Sequence, residues 1–251
     1  MSRGGFDKYI TIFSPEGHLY QVQYAFKAVN YPGLTTIAVR GKDCTVVVTQ
    51  HQVPDKLMRE DTITSLFSVT RGIGACVTGR APDGRSLVQQ AREVASNYKY
   101  KHGVEIPIHV LAKKIADKAQ VRTQQAGLRP MGATLTLIGM DTTDDAELIP
   151  QIFKVDPAGS YVGYFACATG SKEVEAAAFL EKNQKQRPLS ELSTEQASVL
   201  ALSAIQSVVG NSLRAGDVEM GRCTAENTSF ERVPAAQIES WLTAIAESDN
   251  Q

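Results

Sequence analysis

The sequence predicts an α+β protein in which two sheets pack together and helices lie outside them. Strand-like stretches come in two groups, each followed by a pair of helical stretches, an order that fits paired sheets with outer helices rather than βαβ units. Runs such as Ala133–Met140 are apolar on both faces for part of their length, as strands between a sheet and a helix layer are. No linker rich in Pro, Gly or Ser is long enough to divide the 251 residues, so one domain over residues 1–251 is expected.

Taken in order, Ser14-Pro15-Glu16-Gly17 carries turn chemistry, because Pro presets φ at the second turn position and Gly accepts a positive φ. A helix is expected from about His18 to Val29, stopped by Tyr31-Pro32-Gly33. Leu19, Val22, Phe26 and Val29 form one apolar stripe on it, and Tyr20, Tyr24 and Ala28 a second. Lys27 is its only charge apart from a protonated His18. A helix apolar on nearly all sides needs packing partners on more than one side, which points to a neighbouring chain. The plainer alternative is a core helix of a monomer.

Thr35–Arg40 and Cys44–Gln50 flank Gly41-Lys42-Asp43 as a hairpin, and strands are expected at Ser65–Thr70 and Ile73–Gly79. From Asp83 the period changes: Leu87, Val88, Ala91, Val94, Ala95 and Tyr98 fall on one helical face, ended by His102-Gly103. Pro107 opens a second helix with Ile108, Leu111, Ile115 and Ala119 inward. The second round brings strands at Ala133–Met140, Pro150–Asp156 and Tyr161–Ala168, then helices at Lys172–Asn183 and Thr194–Val209. Ser193 and Gln196 form a capping box ahead of the latter, each side chain satisfying a free N–H group. Strands Val218–Thr224 and Ser229–Val233 follow, and a last helix from Pro234 turns Ile238, Trp241, Leu242 and Ile245 inward.

Composition excludes several classes. With 43% hydrophobic residues the chain can bury a substantial core, and its net charge of −1, acids and bases intermixed, offers no field for nucleic acid or an anionic membrane. The basic spots Lys99-Tyr100-Lys101-His102 and Lys113-Lys114 read as solvated helix faces. No apolar run approaches the roughly 20 residues of a membrane span, and Met1–Gly5 shows neither an apolar leader core nor a glycine after Met1 for myristoylation. Cys44, Cys76, Cys167 and Cys223 stand far apart with no C-x-x-C, as reduced core residues of a cytosolic or nuclear protein do. His18, His51, His102 and His109 lack metal-ligand spacing. The stretch Asp141–Asp145 puts Ala146 and Ile152 where a calcium loop needs Gly and Glu, so it is a polar turn. Gly72-Ile73-Gly74 lacks the third glycine of a dinucleotide loop. Neither metal nor cofactor is expected.

The stretch Phe6-Asp7-Lys8-Tyr9-Ile10-Thr11-Ile12-Phe13-Ser14-Pro15-Glu16-Gly17 and the helix after it closely resemble the N-terminal signature of proteasome alpha subunits, most of all the alpha type-6 kind, which holds the first alpha position of the ring. His18 stands where the family usually has Arg and Gln23 where it usually has Glu, departures that remove an ion pair. Further along, Thr78-Gly79-Arg80-Ala81-Pro82-Asp83-Gly84-Arg85 resembles the Gly…Asp-x-Arg turn of these subunits. Arg129-Pro130-Met131-Gly132 and Asp156-Pro157-Ala158-Gly159 resemble their Arg-Pro-x-Gly and Asp-Pro-x-Gly turns. Each is an ordinary turn by itself; in this order they are specific. The resemblance implies the N-terminal-nucleophile hydrolase fold, a four-layer αββα sandwich of two antiparallel sheets with an N-terminal helix extension. Residues 1–12 would be a gate tail, 13–32 the signature turn and helix, and 33–251 the sandwich.

It also implies a function. Phe6, Asp7 and Lys8, with Tyr9 beside them, match the Tyr-Asp-Arg gate motif that holds N-terminal tails across the axial channel, although Phe6 lacks the hydroxyl and Lys8 the bidentate fork. Pro15 and Gly17 would form the reverse turn that regulators press on, and Leu19, Tyr20, Val22, Tyr24 and Phe26 the contact with ring neighbours. Beta subunits of this family cleave peptides with an N-terminal Thr, aided by an Asp and a Lys. The matching positions here are Leu34, Gln50 and Ser65, so all three roles are vacant and no catalytic residue is expected. A one-residue slip would place Thr35 at the nucleophile position, but freeing its amine would remove the signature itself. Ser65 also falls where the family often offers a Lys to the C-terminal carboxylate of a regulator's tail. The partners implied are neighbouring alpha and beta subunits and regulatory particles, in cytoplasm and nucleus. The alternatives are a self-processed threonine hydrolase of the same fold and a stand-alone binding protein.

Overall fold

Hydrophobic alternation along the strands resolves into two five-stranded sheets in the computed structural model, which describes residues 5–143, 145, 147–210 and 213–249. The predicted hairpin is β1 (Thr35–Arg40) and β2 (Cys44–Gln50). The second sheet holds β3 (Leu66–Ser68), β4 (Ile73–Gly79), β5 (Ala133–Thr142), β6 (Leu148–Val155) and β7 (Tyr161–Gly163), paired in that order. The hairpin's sheet is completed by β8 (Ala166–Gly170), β9 (Val218–Thr224) and β10 (Glu231–Arg232), in the order β10-β9-β2-β1-β8. Every pairing among the described strands is antiparallel.

Helices cover both outer faces. On one side of the sandwich α2 (Ala81–His102) and α3 (Ile108–Gln124) set Leu87, Leu111 and Ile115 against Ala75, Val77, Leu135 and Leu137 of the second sheet. On the other, α4 (Glu173–Gln186), α5 (Thr194–Val209) and α6 (Ala235–Asp249) set Leu180, Leu202, Ile205 and Trp241 against Ile37, Val46 and Val48. Alternation sends the intervening residues between the sheets. There the cluster is smaller (Ala38, Val47, Leu66, Cys76, Ile138, Ile152 and Cys167), and buried threonines continue it. Thr78 Oγ1 lies 2.8 Å from Thr36 Oγ1, which lies 2.8 Å from Thr49 Oγ1.

Local signals act where the residues place them. Pro82 sits in the first turn of α2, where its missing N–H costs nothing, and Gly103 at φ 73° ends that helix. Both halves of the capping box form: the Gln196 N–H donates to Ser193 Oγ at 3.3 Å and the Ser193 N–H to Gln196 Oε1 at 3.1 Å.

Several boundaries are corrected. The stretch Tyr161–Ala168 is two strands, β7 in the second sheet and β8 in the first, joined through Tyr164, which packs between the sheets. The apolar pattern runs on through the crossing, so periodicity could not locate it. Ser65–Thr70 shortens to β3 and Ser229–Val233 to β10. The first helix, α1 (Tyr20–Asn30), begins two residues late because Ser14 closes a loop on His18: the Ser14 N–H donates to the His18 carbonyl at 2.9 Å, and the His18 N–H to Ser14 Oγ at 3.1 Å. β5 absorbs Asp141 and Thr142 from the expected polar turn, in which Asp144 and Ala146 lie outside the described residues. The start of the expected gate tail, residues 1–4, lies outside them as well, and Gly5 at φ 80° leads into a 3-10 turn at Phe6–Lys8.

Candidate functional site

The three positions read as vacant gather at one end of the sandwich. Gly33 at φ 76° turns the chain out of α1 and straight into β1. Ser171 holds the segment: the Leu34 carbonyl accepts the Ser171 N–H at 3.2 Å, and the Gly33 carbonyl accepts Ser171 Oγ–H at 2.7 Å. Residue 34 is a leucine, whose side chain carries no hydroxyl. Gln50 Oε1, on a neutral amide, accepts the Thr35 N–H at 2.8 Å. Leu34 and Gln50 border a pocket of about 340 Å³, and Leu34 and Ser65 a neighbouring one of about 690 Å³.

At position 65 the backbone meets a carboxylate. The Ser65 N–H donates to Glu219 Oε2 at 2.9 Å, and Thr64 Oγ1 donates to the same oxygen at 3.1 Å. Arg232 Nη1 stands 3.9 Å from the other Glu219 oxygen. The cations of the larger pocket come instead from Arg80 and Arg85 on another wall. Glu219 carries no sequence signal for this role, being one charged residue in an ordinary strand, and Arg80 and Arg85 are legible only as members of a turn motif. The thiols nearby offer no nucleophile: burial pushes Cys76 and Cys167 up to about 12, so neither is a thiolate near neutrality.

The N-terminal segment is ordered by short-range bonds. Gln21 Nε2 on α1 donates to the Asp7 carbonyl and so ties the Phe6–Lys8 turn to the helix. The Gly17 N–H closes the predicted turn on the Ser14 carbonyl at 2.9 Å, with Gly17 at φ 82°. Hydrogen bonding to Ser14 holds the Glu16 carboxyl below its usual range. The two residues that depart from the family pattern meet: Gln23 Nε2 lies 2.7 Å from His18 Nδ1, a hydrogen bond where the family pattern would put an ion pair.

The structure divides the predicted contact helix by face. Val22 is buried with Ala25 and Val29, Leu19, Tyr20 and Tyr24 are half-buried, and Phe26 is exposed. Tyr9, Ile12, Phe13 and Tyr31 are exposed in the same segment, Tyr31 to 88%.

Two motifs read as separate turns form one unit beneath α1. Arg129 reaches Asp83 with both terminal nitrogens at 2.7 Å, and the Gly132 N–H donates to Asp83 Oδ2 at 2.8 Å. The Arg80 N–H returns to the Gly132 carbonyl at 2.9 Å. The hydrogen-bonded Arg129 guanidinium holds the Asp83 carboxyl below its usual range. The helix lies directly on this junction. A Cβ on Gly132 would stand 2.9 Å from Ala28 Cβ, and one on Gly79, at φ 122°, would collide with the Gly132 carbonyl oxygen. The third motif closes locally: Asp156 Oδ1 accepts the N–H groups of Ala158 and Ser160, each at 2.9 Å.

Comparison with known proteins accounts for both regions. A family described as "Proteasome subunit" matches residues 31–222, and the N-terminal signature of A-type proteasome subunits matches residues 6–28. The chain is 58% identical over 247 residues to "Proteasome subunit alpha type-1" of Trypanosoma brucei brucei, covering 98% of this chain and 92% of that one. It is 42% identical over 252 residues to "Proteasome subunit alpha type-6" of Caenorhabditis elegans, covering 99% and 100%. Against "Probable proteasome subunit alpha type-1" of Schizosaccharomyces pombe the identity is 40% over 245 residues, covering 98% of each chain. Identity to a relative named alpha type-1 thus exceeds identity to the one named alpha type-6, and the type-6 resemblance is not the stronger match.

Proposed function

This chain belongs to the proteasome subunit family, on the alpha side, and from that premise we infer that it is a structural and gating member of the alpha ring that cuts no bond itself. One observation carries the reading. Leu34, between α1 and β1, borders one pocket with Gln50 and the next with Ser65, and these are the positions where the family resemblance puts the beta-type nucleophile, acid and lysine. A leucine cannot attack a carbonyl, an amide cannot hold a lysine in its charged form, and Ser65 supplies no cation.

The exposed apolar side chains of the N-terminal segment fit ring neighbours on the alpha side, with beta subunits below and regulatory particles on the outer face. Phe6, Asp7, Lys8 and Tyr9 would hold the gate, Met1–Gly5 would lie over the channel or leave it, and Pro15 and Gly17 would take the pressure of a bound regulator. The first alpha position is proposed on the N-terminal stretch alone; a map of the particle that identifies both ring neighbours tests it. Four free, buried cysteines fit the reducing cytoplasm and nucleus.

In assembled particles, deleting Met1–Gly5 is expected to raise basal hydrolysis of a small fluorogenic peptide; unchanged hydrolysis counts against a gate role. A regulator's terminal carboxylate should not be held at Ser65, and a complex showing it held there as firmly as at a lysine would contradict this.

A further inference from the structure

The unit of Asp83, Arg129 and Gly132 lies about fifty residues along the chain from α1 at its nearest, and nothing in the vacant catalytic end requires it. Its construction is asymmetric: the Asp83 side chain is 8% exposed, whereas Arg129 is 64% exposed and closes over it from solvent. A buried carboxylate that takes a bidentate guanidinium and a backbone N–H fixes the path of residues 129–132. That path puts the hydrogen side of Gly132 against Ala28, leaving the helix one seat with no space for a Cβ. At the other end of the same helix, Gln21 holds the Asp7 carbonyl.

We propose that Asp83 and Arg129 are positioning residues of the gate: they set the seat of α1 on the Gly79–Gly132 junction, and through Gln21 they set the pose of residues 5–8. This rests on the gate reading above. Asp83 and Arg129 act through the helix that rests on their junction.

The test uses assembled core particles in which this chain is wild type, Arg129→Gln, Gln21→Leu or a Met1–Gly5 deletion, with each substitution also made in the deletion background. Basal hydrolysis of a fluorogenic peptide is read per assembled particle. Arg129→Gln is expected to raise it about fivefold, the low end of coupling between linked elements, and to add nothing once the tail is gone. Gln21→Leu breaks only the link on the helix surface and should do the same, so the test survives if Arg129→Gln assembles poorly. If the deletion opens the gate while Gln21→Leu leaves hydrolysis unchanged, the positioning role is overturned and the gate reading stands. Equal increases with and without the tail overturn it too, since they would mark a general loosening. If the deletion itself has no effect, the gate reading falls and takes this inference with it.

Discussion

In the sandwich, Leu135 and Leu137 of β5 and Leu202 and Ile205 of α5 are completely enclosed between sheet and helix, while in the segment ahead of it Phe13, Phe26 and Tyr31 stand in solvent. Both regions are rich in apolar side chains, and they differ in whether the chain itself supplies a cover. The sandwich does so twice over, through α2 and α3 on one face and α4, α5 and α6 on the other. The segment from Phe6 to Tyr31 buries only Val22, Ala25 and Val29 of its helix against the sandwich and leaves the rest for a second surface. The sandwich thus holds the enclosed core and the segment carries the apolar surface proposed above for assembly, with the Asp83–Arg129 unit at the joint between them.

Substitutions can break this division. The largest effect is expected in the enclosed layer: Leu202→Ala should lower the unfolding free energy by about 2–5 kcal/mol in a denaturant titration, because a closed layer cannot collapse into the cavity. If it costs less than the exposed sites do, the division is wrong. At the joint, Asp83→Asn should cost about 2 kcal/mol near neutrality, less than a fully buried pair because Arg129 keeps part of its hydration. Its pH dependence follows from the depressed carboxyl: the stabilisation is complete above the ordinary Asp value of about 3.9 and is lost as pH falls through the lower folded value. Wild type and Asp83→Asn should therefore converge in acid, and a gap that persists at low pH would place the effect in packing instead.

In the segment, Phe26→Ala should change the stability of the unassembled chain by less than about 1 kcal/mol, as exposed positions do, yet reduce its incorporation into the particle as seen by native mass spectrometry. Intact incorporation would leave that face without a purpose. The smallest effect belongs to the exposed His18–Gln23 contact. Restoring the family's charges with His18→Arg and Gln23→Glu should shift stability by no more than about 0.5 kcal/mol.

Much of this was legible beforehand, and what was not has identifiable causes. Long amphipathic helices and the capping box at Ser193 are written in local periodicity, and the structure places them within a few residues. The crossing from β7 to β8 was hidden because a strand's alternation does not record which sheet it joins. Leu34, Gln50 and Ser65 were singled out by resemblance, but Glu219 beneath Ser65 and the bond between Asp83 and Arg129 depend on residues far apart in sequence. The turns at residues 78–85 and 129–132 were both recognised, yet only the tertiary structure shows them to be one clip under the helix.

The most direct test of the central claim is the start of the mature chain in purified particles, read by N-terminal sequencing alongside peptide hydrolysis after the beta-subunit threonines have been blocked. A start at Met1 or Ser2 with no residual hydrolysis is the predicted result. A start at Thr35, with cleavage continuing after the block, would contradict the account.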